Sequence, residues 1–202
     1  MLLIGLPAAA ETKTLLALGD SLTQGYGLPQ EQGFVPQLQA WLVAQGADVT
    51  VINAGVSGDT TAGGVSRLDW SLTPDVDAMI VNLGGNDLLR GIDPDSSRAN
   101  LDRILATAQA RKLPVLLVGL RAPGNYGPDF KAAFDAMYPD LAATYGTDLE
   151  MDFFAPLMDQ TADGFDADTM QPDGIHPSAK GVALIVQGMG PRVLALLARV
   201  PG

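Results

Sequence analysis

Three stretches of this chain, Val49–Asn53, Ala78–Leu83 and Pro114–Leu120, read as continuous apolar runs rather than alternating ones. A strand with one wet face alternates polar and apolar residues, whereas one covered on both faces does not, and parallel sheets are built from the second kind. Two further runs, Leu15–Leu18 and the weaker Leu149–Phe153, complete a set of five. Segments with helical spacing lie between and after them. Phe34–Gln45 repeats Val35, Leu38 and Leu42; Ser96–Arg111 repeats Leu101, Ile104, Leu105 and Ala108, with Ser96 or Ser97 available as its cap; Phe130–Tyr145 and Ser178–Arg199 follow the same rule. Strand and helix in alternation, ending on a long helix, is the pattern of a three-layer α/β/α domain with right-handed crossovers. No internal repeat, low-complexity stretch or linker-like break interrupts it, so residues 13–202 read as one domain.

In such a fold ligands bind beyond the C-terminal ends of the strands, and small polar residues gather after each run. Gly19-Asp20-Ser21 follows the first, Gly55-Val56-Ser57-Gly58 the second and Gly84-Gly85-Asn86-Asp87 the third. Arg121 to Gly127 follows the fourth, and Asp173-Gly174-Ile175-His176 comes after the fifth. Ser21 at a strand-to-helix turn is a candidate nucleophile. His176, the only histidine in the chain, is the one base available to it. Asp173 stands close enough to hold the imidazole Nδ1–H while Nε2 faces the serine. The Ser21 N–H, the Gly58 N–H and the Asn86 side chain would supply three oxyanion donors. Asp20 reads as structural, bonding backbone N–H groups around the turn.

Composition removes several other chemistries. The 202 residues carry a formal charge of −11, which argues against nucleic acid or an anionic membrane surface as partner. There is no cysteine, so disulfides, thiolate metal sites and a cysteine nucleophile are excluded. A single histidine leaves no zinc site of the usual kind. No uninterrupted apolar run approaches the ~18 residues that cross a bilayer. The acidic run Asp163, Asp166, Asp168, Asp173 lacks the glycine and glutamate of an EF-hand loop. Residues 1–12 form a separate tail: Leu2–Leu6 followed by Ala8-Ala9-Ala10 reads as a remnant of an export signal without its basic region. The expected address is periplasmic or secreted, with the cytoplasm as the alternative.

Gly19-Asp20-Ser21-Leu22 resembles the GDSL signature, and Ser21, Gly58, Asn86 and Asp173-x-x-His176 resemble the four marker blocks of the SGNH hydrolases. The stretches VINAGVSGDTTAGGVSRLDW, LGGNDLLRG, FDAMYPDLA and QPDGIHP are similar to the branch that holds thioesterase I/protease I/lysophospholipase L1 and bacterial arylesterases. The likeness runs from about Leu15 to about Ala198. It implies a flavodoxin-like fold with five parallel strands, no cofactor, and a serine esterase acting on small acyl esters and thioesters. It implies Ser21, His176 and Asp173 as the catalytic residues, with Ser21, Gly58 and Asn86 as the oxyanion hole. Leu88 stands where the family often has glycine, which leaves substrate preference more open than chemistry. The substrate pocket is expected between Leu22–Pro29, Leu88–Ile92 and Ala122–Pro128, contacted by Leu88, Leu89, Pro123, Asn125 and Tyr126, in a monomer without stable membrane insertion. A carbohydrate O-deacetylase with the same machinery and a non-catalytic binding module are the alternatives.

Overall fold

A computed structural model of the chain describes residues 12–158, 165, 166 and 168–200. Five parallel strands form one sheet: β1 (Lys13–Gly19), β2 (Val49–Gly55), β3 (Ala78–Asn82), β4 (Val115–Val118) and β5 (Asp148–Glu150). Their spatial order, β2-β1-β3-β4-β5, is the flavodoxin-like one. Every residue of β3 and β4 is buried, as expected of continuous apolar runs in the middle of a covered sheet. The edge strand β5 is only partly buried along its three residues, which explains why its run is the weakest in the sequence.

Among the described residues seven α-helices surround the sheet: α1 (Ser21–Gln24), α2 (Phe34–Ala44), α3 (Thr61–Ser71), α4 (Gly85–Leu89), α5 (Pro94–Ala110), α6 (Pro128–Tyr145) and α7 (Ala179–Leu197). One layer packs α2 against α7, and the other sets α3, α5 and α6 side by side. The buried residues of α5, Leu101, Ile104, Leu105 and Ala108, keep the spacing of one helix face. Its start differs from the sequence expectation. Asp93 is the cap, accepting from the Asp95 N–H at 2.9 Å with Pro94 in the first turn, and Ser97 lies inside the helix. By length and composition α7 could cross a bilayer, yet half of it is buried within the domain against α2, β4 and β5. The proposed export-signal remnant falls on residues outside those described.

Strand register sets the height of the site. Gly19 at the end of β1 lies opposite Gly55 of β2 and Asn82 of β3. The three segments that follow these strands therefore leave the sheet side by side at its C-terminal edge.

Candidate active site

The turn after β1 is built by Asp20, which caps α1 by accepting from the Leu22 N–H at 3.0 Å. This makes Ser21 the first residue of the helix, with its side chain at the sheet edge. Gly55 is glycine for a steric reason, because a side chain there would run into the backbone of Gln24. Arg67 of α3 fastens the neighbouring strand ends. Its Nε donates to Asp59 Oδ2 at 2.6 Å, its Nη1 to the Ala54 carbonyl at 2.8 Å and its Nη2 to the Gly19 carbonyl at 2.8 Å. Nothing in the sequence spacing singles out Arg67, since its partners lie on two strands and a loop.

The histidine arrives from the far end of the chain. His176 Nε2 lies 2.9 Å from Ser21 Oγ across a sequence separation of 155 residues. Its Nδ1 lies 2.7 Å from Asp173 Oδ2. The other carboxylate oxygen of Asp173 accepts from the backbone N–H of His176 at 3.0 Å and of Ile175 at 2.9 Å, so the aspartate folds its own loop around the imidazole. The backbone bond from His176, then the bond from its ring, pull the Asp173 carboxyl down to about 2. Gln171 joins this loop to the one after Ser21: its side-chain nitrogen donates to the Tyr26 carbonyl at 2.8 Å and to the Pro177 carbonyl at 3.0 Å. The Tyr26 ring leans over the imidazole with centroids 4.7 Å apart.

Gly58 adopts a left-handed backbone at φ +83°, a conformation that favours glycine. Its carbonyl accepts from Arg90 at 2.8 Å. Asn86, on α4, donates from Nδ2 to the Asp59 carbonyl at 3.0 Å and approaches Asp20 Oδ2 at 3.4 Å. Behind it Asp87 is buried and fully engaged. It accepts from the Thr61 N–H at 2.8 Å, the Thr61 hydroxyl at 2.6 Å and the Ser97 hydroxyl at 2.9 Å. These bonds lock α4 to α3 and α5. Burial raises the Asp20 carboxyl to about 6, against the lowering effect of its bond from Leu22. The structure thus brings Ser21, Asn86, Asp173 and His176 to one sheet edge, with Gly58 on the adjoining loop.

A cavity of about 280 Å³ opens beside Ser21 and Asn86. Leu22, Leu88, Leu89, Leu120, Phe154, Met158, Phe165 and Ile175 form its apolar wall, with Arg121 and Asp152 at one side. Leu88 and Leu89 take the expected place, but Pro123, Asn125 and Tyr126 do not line it. Tyr126 packs on Phe130 with centroids 4.9 Å apart and donates to the Leu89 carbonyl at 3.2 Å, so it props the wall from behind. Their place is taken by residues after β5 and by the Met158–Phe165 pair, which forms an antiparallel bridge. Composition-level reading had no means of finding these, because Phe154 and Phe165 sit in a segment without regular periodicity.

Among the described residues no cluster of His, Cys, Asp or Glu is arranged to hold a metal ion. Asp166 and Asp168 face Lys180 at 3.7 and 2.6 Å, and Asp173 is taken by His176.

Residues 17–184, from within β1 to within α7, match the model of the GDSL-like lipase/acylhydrolase family. The chain belongs to that family. It is 38% identical to Esterase TesA of Pseudomonas aeruginosa over 96% of this chain and 94% of the relative. It is 35% identical to thioesterase 1/protease 1/lysophospholipase L1 of Escherichia coli K12, covering 94% of this chain and 87% of the relative. The crystal structure of AlinE4, described as an SGNH-hydrolase family esterase, superposes with a TM-score of 0.75 at 40% identity, over 96% of this chain and all of the other. In this acylhydrolase family member, the sheet edge carrying Ser21 is also where the apolar cavity lies.

Proposed function

We propose that this chain is a serine esterase that cleaves acyl and aryl esters, and acyl thioesters, through an acyl-enzyme. The observation that carries the reading is the relay from Asp173 to His176 to Ser21, at 2.7 and 2.9 Å, beside an apolar cavity. Esterase, thioesterase and lysophospholipase appear in the names of its relatives. Leu89, Met158, Phe165 and Ile175 are large apolar side chains left exposed around the same opening, as at a surface made for an apolar ligand. That wall suits an acyl or aryl group better than a sugar, so the deacetylase reading is not carried forward.

In the proposed reaction His176 Nε2 takes the proton of Ser21 Oγ as the oxygen attacks the acyl carbon. Asp173 holds Nδ1–H and, with its carboxyl kept at about 2, remains ionised to stabilise the imidazolium that forms. The oxyanion is received by the N–H groups of Ser21 and Gly58 and by Asn86. One Asn86 N–H serves the Asp59 carbonyl, while the other meets Asp20 only at 3.4 Å and is the one able to turn to the oxyanion. His176 then protonates the leaving alcohol or thiol. Water activated by the same histidine releases the acid and restores Ser21. The substrate is a small molecule and no step requires a cofactor. A periplasmic or secreted address, resting on the Leu2–Ala10 segment, belongs to the proposal. The test is a panel of p-nitrophenyl esters and acyl-CoAs of rising chain length, run on wild type and Ser21→Ala. Turnover that disappears with Ser21 supports the reading, and a wild type inert to every member sinks it.

A further inference from the structure

Among the described residues lining the cavity, Arg121 is the only cation. It follows β4 by three positions and sits beside Asp152, which follows β5 by two. Asp152 is not a tight partner. Its Oδ1 accepts from the Phe154 N–H at 3.0 Å, and its Oδ2 is 3.8 Å from Arg121 Nε, outside hydrogen-bond range. Asp135, the other carboxylate acting on Asp152, is itself paired with Lys131 at 2.7 Å. The Arg121 side chain is 60% exposed, while that of Asp152 is 14% exposed. The guanidinium therefore approaches a half-committed carboxylate with Nε, while its terminal nitrogens bond no described acceptor in a residue that lines the cavity.

A planar guanidinium offers paired N–H groups that match phosphate and carboxylate oxygens. Apolar neighbours such as Leu120 and Phe154 lower the local polarity on one side of it, so that attraction is screened somewhat less than on a wholly polar surface. It is also a local exception in a chain of net charge −11, whose overall field would repel an anionic substrate.

We propose that Arg121 is a specificity-determining residue that receives an anionic oxyacid group of the substrate while the apolar part fills the cavity. This rests on the esterase reading. The group has two possible sources: a phosphate on the leaving group, or a carboxylate at the far end of the acyl chain.

The binding test uses Ser21→Ala protein, which needs no turnover, titrated with octyl phosphate, octanoate and octanol. Adding Arg121→Gln weakens the two anions about tenfold more than octanol, the size expected for one charge-assisted hydrogen bond, and removes the salt dependence of their binding. Arg121→Lys recovers part of the loss, which separates charge from misfolding. Equal changes for all three ligands overturn the proposal. With Ser21 restored, kcat/KM is compared for octanoyl-CoA, a p-nitrophenyl half-ester of a dicarboxylic acid, and p-nitrophenyl octanoate. A loss on Arg121→Gln concentrated on the CoA ester identifies leaving-group phosphate, and one concentrated on the half-ester identifies acyl-end carboxylate. Equal losses on all three overturn the assignment, whereas absence of any hydrolysis counts against the esterase reading alone.

Discussion

Arg90 donates to the carbonyl oxygen of Gly58 at 2.8 Å, and so holds the peptide unit immediately after the N–H that is a proposed oxyanion donor. The contact crosses from the loop after α4 to the loop after β2, and both residues are exposed. Its loss costs little stability, as is usual for surface contacts, but loosens a donor. Arg90→Gln is expected to lower kcat about threefold to tenfold, the worth of one modest hydrogen bond, with the melting temperature almost unmoved. A large fall in melting temperature with normal kcat would assign Arg90 a structural role instead.

Asn86→Ala separates the two duties of that residue. As a donor acting on developing charge it should reduce kcat by about 10²–10³-fold with KM nearly constant. As a mere tie to the Asp59 carbonyl it would lower thermal stability and leave kcat alone. Steady-state kinetics paired with a melting curve decide.

The relay gives a graded expectation. His176→Ala removes nearly all turnover, because no second histidine can replace it. Asp173→Asn retains a hydrogen-bonding group but favours the wrong imidazole tautomer, and should cost about 10²–10⁴-fold in kcat. Its labelling by a fluorophosphonate should slow in parallel. Unchanged labelling in either variant would remove the relay from the mechanism.

Asp20 supplies a pH-dependent stability. Its carboxyl is raised from 3.8 to about 6 in the folded protein by burial. Between those values the folded state holds a proton that the unfolded state releases, so stability from this group falls as pH rises through the window. Above about 6 the buried charge remains as a constant cost. Asp20→Asn keeps an oxygen able to accept from the Leu22 N–H and carries no charge. Its melting temperature should exceed that of wild type by more at pH 7.5 than at pH 4.5. A gap that narrows on raising pH would refute the sign.

Phe154 and Phe165 pack as a tilted pair, centroids 5.6 Å apart, in the cavity wall. Phe165→Ala lengthens the space available to an acyl chain. The optimum on a p-nitrophenyl ester series should move to longer chains, since each added methylene buried there contributes about 0.8 kcal/mol. An unmoved optimum with uniformly reduced rates would place the acyl group elsewhere.

β3 and β4 were legible because burial on both faces leaves an unbroken apolar run, and Ala78–Leu83 and Pro114–Leu120 contain them. β2, expected from Val49–Asn53 to be covered on both faces, is instead an edge strand only partly buried. α3 was not legible, since Thr61-Ala62-Gly63-Gly64 has poor helix propensity and the helix is held by packing, with Gly64 beneath Leu83. At the site, residue chemistry and spacing pointed to Ser21, Asn86, Asp173 and His176 together. Arg67, Asp87 and Gln171 escaped notice because their work is done through backbone and buried partners contributed by distant segments. Tyr126 was placed in the cavity because an aromatic in a loop at the sheet edge looks like a wall. Its ring instead meets Phe130, one helical turn on, which only the path of the 124–128 turn reveals.

The 155-residue span between Ser21 and His176 has a consequence for how the molecule matures. The proposed nucleophile and base come from the turn after β1 and the loop before α7, and they meet only when the layers between are assembled. A nascent or clipped chain lacking the segment from Gln171 onward would display its serine without a proton acceptor. Turnover in a refolding experiment should therefore lag behind the return of secondary structure and report the fraction of molecules whose two ends have met.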